Sequence, residues 1–413
     1  MTTRQRIYVA IAIITLIGLG NVLAQTQFKD QRSRAPRQHH NVALPTTAAT
    51  QFGDPLADLT PTQLADFAAG LDEFQSVDTA ESGLGPVFNN VSCVACHSDP
   101  AIGGGSVILE TRFGRIANGH FDPLAELGGS LMQDFAIDPT AQEVVPAQAN
   151  IVAKRKSTPL FGLGLIEAIP DSAILQNAQN PKPDGITGRP SIVQDVATGH
   201  TRIGRFGWKA QQATLLAFAG DAYLNEIGIT SRLFPQENAP RGDLYMLELY
   251  DHVADPEDAV DPATGKADID RFADFMRYLA PPPRASLTQS AIAGAAVFLQ
   301  TGCENCHRAL MQTSSSTIRA LDRKLVPLFS DLLLHDMGSL GDGIAQGTAA
   351  PSEMKTAPLW GLRARTPLLH DGRAPTIDAA IRLHDGEAAR VRDRYTRLNS
   401  AQQQQLLDFL KSI

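Results

Sequence analysis

The four cysteines of this 413-residue chain fall into two copies of one pattern, Cys93-Val94-Ala95-Cys96-His97 and Cys303-Glu304-Asn305-Cys306-His307. C-x-x-C-H is the attachment pattern of c-type haem. Its spacing follows from the chemistry: two thiols add to the two vinyl groups of the porphyrin, and the adjacent imidazole reaches the iron. A zinc site made from paired C-x-x-C motifs, or a redox-active thiol pair, would not require a histidine after each pair. Two copies that consume every cysteine predict two covalently bound haem c groups. Cys93, Cys96, Cys303 and Cys306 would be the attachment points, and His97 and His307 the iron ligands.

Histidine and methionine are the usual ligands on the far side of such an iron. His39 and His40 lie in a polar leader. His120 follows His97 by 23 residues, and Met337 follows His307 by 30, a distance that suits a cytochrome c methionine.

These residues need elements to position them. Thr60 is placed to cap a helix that starts at Pro61 and turns Leu64, Phe67, Leu71 and Phe74 to one face. The helix leads into the first motif and the glycine run Gly103–Gly105. Residues 107–235 read as mixed, with apolar stretches broken by glycine. Residues 253–268 are acidic and turn-rich and read as a surface loop. A helix is expected from Asp268 to Leu279, stopped by Pro281, Pro282 and Pro283. Ser286 is placed to cap a second-half helix from Leu287 to about Gln300. The closing NSAQQQQLLDFLKSI reads as a helix with Leu406, Leu410 and Ile413 facing one core.

Helix, C-x-x-C-H, loops and closing helix is the layout of a small cytochrome c domain. The two motifs lie 210 residues apart, too far to share one such domain. The expected fold is therefore mainly α: two tandem cytochrome c-like haem domains, residues 58–280 with long irregular insertions and residues 284–413.

The chain carries 36 basic and 44 acidic side chains, a formal charge of −8, which argues against a nucleic-acid partner. A basic start, a short apolar run and small residues around Ala24 read as a secretory signal peptide, residues 1–24. Residues 25–57 read as a mobile polar leader. Export places the protein in the periplasm, with no integral membrane span after cleavage.

Together, FNNVSCVACHSDPAIGGG, PLFGLGLIEAIPD, GRFGWKAQ, LLLHDMG, APLWGLRARTPLLHDGRAPTIDAAIRLHDGEA and LLDFLKSI resemble the bacterial di-haem oxidoreductases. These are often labelled thiol oxidoreductases and belong to the wider group of di-haem cytochrome c peroxidases and MauG-type enzymes. The resemblance implies an electron-handling C-terminal haem and a substrate-binding N-terminal haem that cleaves peroxide. It places the distal ligand of the C-terminal haem 14 residues beyond the histidine of Pro367-Leu368-Leu369-His370-Asp371-Gly372, which is His384. The peroxidases carry methionine there and MauG-type enzymes tyrosine, so this chain departs from both. Met337 is the alternative ligand.

The resemblance also makes Trp208 the tryptophan between the haems. It makes Glu226, two residues short of the expected place, the acid–base residue. Glu167 is the alternative acid, because its apolar neighbours would raise its pKa if it is buried. Arg365 and Arg373 flank His370 and are placed to pair with haem propionates. The peroxidases use a loop histidine at the first iron, for which His120 is the nearest candidate, but the expected first iron is open, so that a substrate has somewhere to bind. An inter-haem calcium ion, carried by the peroxidases, finds no carboxylates in the glycine loop. Expected partners are a small electron-donor protein or a quinone-linked chain, and a small substrate such as peroxide. The alternatives are an electron-transfer cytochrome without a substrate of its own, and a thiol oxidoreductase acting at the iron, since no free protein thiol remains.

Overall fold

The computed structural model describes residues 50–413. The expected signal peptide and most of the expected leader lie outside the described residues. The end of the leader is tied down: Leu56 is buried, its N–H donates to the Tyr278 carbonyl (2.7 Å), and the Ala280 N–H donates to the Asp54 carbonyl (2.9 Å). The expectation of a mobile leader to residue 57 is thus corrected for its last few residues, which gain backbone partners and burial.

Two helix pairs frame the two motifs. Pro61–Phe74 packs on Asp268–Tyr278. Thr60 accepts from the Gln63 N–H and Gln63 returns the bond to the Thr60 N–H, so the first turn is capped from both directions. The helices approach closely at Gly70, where an added Cβ would lie 2.4 Å from the Arg271 carbonyl oxygen. Phe67, Phe74, Phe272 and Phe275 close the interface, with the Phe74 and Phe275 rings 4.8 Å apart.

The second pair repeats the solution. Gln289–Thr301 packs on Ser400–Ser412, and an added Cβ at Gly294 would lie 1.9 Å from the Gln405 carbonyl oxygen. Its N-cap is Thr288, whose hydroxyl accepts from the Ala291 N–H. The expected cap at Ser286 is two residues early. Thr288 has the same chemistry and stands directly before the first residues that bury, Ala291 and Gly294.

Between these pairs the chain is not mainly α. Over all the described residues helix accounts for 35% and strand for 16%. Leu109–Ala117 is the centre of an antiparallel sheet, paired with Ile151–Lys156, with Leu131–Met132 and with His120–Asp122. Ser191–Asp195 and His200–Gly204 form a separate hairpin, and Leu334–Asp336 pairs with Glu353–Lys355.

Two hydrophobic cores result. The larger joins the first helix pair to Leu160–Ile169, Leu215 and Tyr223. It also takes in Met311, Val326, Leu328, Leu332, Leu333 and Trp360 from beyond the Pro281–Pro283 run. The smaller gathers Phe298, Phe329, Tyr395, Leu406, Phe409 and Ile413. Among the described residues no helix is long and apolar enough to cross a membrane.

Candidate functional site

Each C-x-x-C-H motif opens onto a cavity. The first has about 1300 Å³ of space, partly open to solvent, and is lined by Cys93, Cys96 and His97. The second, about 1340 Å³, is lined by Cys303, Cys306 and His307. No disulfide joins the four cysteines. Burial, with Asp78 nearby, pushes the Cys93 thiol up to about 12. Burial and Glu226 push Cys96 up to about 11, and burial and Glu304 push Cys303 up to about 12. Redox-active pairs need the opposite shift.

Backbone carbonyls orient the histidines. In the first motif, turns at Gly103 and Gly105 bring the Gly104 carbonyl to the His97 Nδ1 (2.9 Å). His307 Nδ1 bonds the Phe329 carbonyl (3.0 Å), and His384 Nδ1 bonds the Ala380 carbonyl (2.8 Å). A ring that donates through Nδ1 leaves Nε2 as a lone-pair ligand. Burial holds all three imidazoles below their usual range, His307 down to about 4 with repulsion from His384 adding to burial. They are neutral, as iron ligands must be.

His384 lines the second cavity with His307, their ring centroids 6.4 Å apart. That span suits one metal ion between two imidazole nitrogens at bonds of about 2.0 Å. Met337 also lines this cavity. No carboxylate lines it, yet Lys355 is buried and Arg365 part-buried there. Burial and the nearby Arg365 push Lys355 down to about 8, and burial pushes Arg365 down to about 10. Neither forms an ion pair among the described residues. Buried cations without anions are costly, and a ligand with its own carboxylates would neutralise them. Arg373 lies on the surface, paired with Asp371. A haem group therefore fits the donors and the charge of this cavity.

Trp208 lines both cavities. Its indole N–H donates to the Lys156 carbonyl (2.8 Å), and its own carbonyl accepts from the Lys355 N–H (2.9 Å). Its ring stands edge-on to buried His370, centroids 6.2 Å apart.

Residues 143–413 match the family described as "Di-haem oxidoreductase, putative peroxidase". The chain belongs to this family. Membership implies haem cofactors and an oxidoreductase. No curated protein matches the chain. Among solved structures it is similar to the Kuenenia stuttgartiensis hydrazine synthase, at 15% identity over 92% of this chain and 100% of that one, with a TM-score of 0.40. It is also similar to a MauG-like protein associated with microbial copper homeostasis, at 14% identity over 91% and 95%, again with a TM-score of 0.40.

The first cavity of this di-haem oxidoreductase is lined differently from the second. Among the described residues His97 is the one histidine lining it. His120 is exposed on a hairpin away from the cavity, which corrects its candidacy as a loop ligand. Glu226 does line it. It sits on a wide π-type turn, Tyr223–Ile227, that extends the helix Leu215–Ala222. Such turns recur at functional sites. The Asn89 amide donates to Glu226 Oε2 (2.7 Å), and the Asn89 and Asn90 N–H groups hold its carbonyl.

Glu110, which sequence reasoning missed, hydrogen-bonds to the Glu226 carboxyl. Arg112, two residues along the same strand and on the same face, holds Glu110 through Nε (2.9 Å) and Nη2 (3.3 Å). Buried Arg155 lies 4.0 Å from the same carboxylate. Burial favours protonation of Glu110, but Arg112 overrides it and holds that carboxyl below the usual range. Burial and the Glu110 charge push Glu226 up to about 8.

Glu167 is not part of either cavity. One oxygen accepts from the Leu215 N–H (2.7 Å) and the other pairs with Arg277 (3.1 Å). Its candidacy as the catalytic acid is corrected: its oxygens are spent on a helix start and an ion pair.

Proposed function

We propose that the protein is a periplasmic di-haem c-type cytochrome oxidoreductase of peroxidase type. Cys93 and Cys96 would hold one haem c with His97 as ligand, and Cys303 and Cys306 the other with His307. When bound, the haems supply iron for peroxide binding and for single-electron transfer. The net reaction is ROOH + 2H⁺ + 2e⁻ → ROH + H₂O, with electrons from a small donor protein or a quinone-linked chain.

One observation carries this reading. In the second cavity the imidazoles of His307 and His384 face each other, with His335 and His370 also on its wall, whereas the first presents His97 as its one histidine among the described residues, with a carboxyl cluster. The second fits a closed, electron-handling site, with His384 rather than Met337 as sixth ligand. The first fits an open, substrate-binding site. Glu226 holds the proton that the leaving oxygen needs. Asn89 fixes its orientation. Arg365 and Lys355 would neutralise the carboxylates of a haem held in the second cavity, and Trp208 lies on the walls of both cavities.

A pure electron carrier would leave the buried Glu110–Glu226 cluster without a task. A thiol oxidoreductase would have to bring its substrate thiol to the iron, because every cysteine of the chain serves attachment.

Steady-state peroxide reduction by the purified holoprotein, with a reduced small cytochrome as donor, tests the proposal. Wild type should turn over, and E226Q should lose about 10²–10⁴-fold in kcat, the usual contribution of a positioned acid–base group. Equal rates for the two proteins would overturn the role of Glu226, and no turnover by either would overturn the peroxidase reading.

A further inference from the structure

We propose that Glu110 and Glu226 work as one acid–base unit, a carboxyl–carboxylate pair that shares a single proton and is set by Arg112. The proposal rests on the peroxidase reading of the first cavity and adds residues that reading does not need.

The geometry is that of two carboxyl groups brought together inside the protein. Glu110 is on the central strand Leu109–Ala117 and Glu226 on the turn Tyr223–Ile227, 116 residues later. Both line the cavity that holds Cys93, Cys96 and His97. Two hydrogen-bonded carboxyl groups need one proton between them, because two anions at that distance repel and two neutral acids would waste the guanidinium alongside. Arg112 decides which member is ionised. Its fork grips Glu110, with Arg155 behind it. Asn89 grips Glu226 by a neutral amide. Asp221, on the preceding helix, is the remaining ionisable group beside Arg112, and its Oδ1 accepts from the Asn225 amide (3.0 Å). Asp134 also lines the cavity. The resting state is then neutral Glu226 beside anionic Glu110.

Such a pair can do what a lone glutamate cannot do at one moment. The neutral member can give a proton to the departing oxygen of a hydroperoxide while the anionic member can take the proton of the other oxygen. The O–O bond breaks, ROH leaves, the remaining oxygen leaves as water after taking up two protons from solvent and two electrons, and the pair ends with the single proton it began with. The two electrons come from the external donor named above. Glu110 and Glu226 both exchange a proton with the substrate in this scheme, and Arg112 is the positioning residue, since it acts by fixing where the proton rests.

Infrared difference spectroscopy of the oxidised holoprotein tests this without any turnover. The wild-type minus E226Q difference at neutral pH should contain the C=O stretch of a protonated carboxyl, shifted in D₂O. The wild-type minus E110Q difference should contain the same band, because Glu226 ionises beside Arg112 once the neighbouring charge is gone. E110D should restore the band. R112Q should retain it to higher pH than wild type, because the cation that favours ionisation is lost. D221N should leave it in place. A band that survives in E110Q, or disappears in R112Q, would overturn the proposal even if peroxide turnover is found. Loss of the band in E110Q with no turnover in wild type would uphold the pair and sink the peroxidase reading alone.

Discussion

His307 and His384 meet across the second cavity with ring centroids 6.4 Å apart and planes inclined by 58°. Each ring is fixed from behind by a backbone carbonyl, Phe329 for one and Ala380 for the other. The pair is therefore preorganised, and its consequences differ from those of a histidine–methionine pair.

The first prediction concerns that pair. Bis-histidine ligation gives a lower potential than histidine–methionine ligation. H384M should keep the second haem six-coordinate and low-spin and should raise its midpoint potential. H384A should make it high-spin. Potentiometric titration followed optically checks both. An unchanged spectrum in H384A would move the ligand to Met337.

A second prediction concerns pH. The folded protein keeps the Glu226 proton up to about pH 8, whereas an unfolded chain releases a glutamate proton near the ordinary value of about 4.3. Between these values the folded state binds more protons. This contribution to stability is complete below the ordinary range and is lost as pH rises through about 8. Denaturant titrations from pH 5 to 9 should show wild type losing stability relative to E226Q. Parallel curves would contradict the burial of that proton.

Glu167 is expected to be structural and not catalytic. E167A removes the partner of Arg277 and the acceptor for the Leu215 N–H. It should cost about 1–3 kcal/mol of stability. Peroxide turnover of the folded fraction should match wild type. A collapse of kcat without loss of stability would return Glu167 to the chemistry.

The glycine crossings predict backbone sensitivity. G70A and G294A place a methyl group 2.4 Å and 1.9 Å from carbonyl oxygens of the facing helix. Each should destabilise by about 1–3 kcal/mol through overpacking, seen as a lower denaturation midpoint. Substitution of Gly119, whose Cβ would meet nothing, probes only its positive φ and serves as the comparison.

The helix pairs and both cysteine motifs were legible because their signals are local. Thr60-Pro61 starts a helix, Pro281 stops one, and C-x-x-C-H carries its whole pattern in five residues. The strands were not, because segments of two or three residues such as Leu131–Met132 have no period to detect. Glu110 and Arg112 were missed for another reason. On a strand they read as an ordinary exposed i, i+2 pair, and the group that gives them meaning, Glu226, arrives 116 residues later. Glu167 misled for the converse reason: apolar sequence neighbours suggested an isolated buried acid, but Arg277 reaches it from a distant helix. Arg365 stood out beside His370, but Lys355 becomes notable only once folding removes every carboxylate from their cavity.

The central claim is that the two cavities hold unlike haems. Low-temperature EPR of the oxidised holoprotein, with an optical haem count, tests it most directly. The account predicts two haems per chain, one high-spin on His97 and one low-spin between His307 and His384. Two identical low-spin signals, or a single haem per chain, would contradict it.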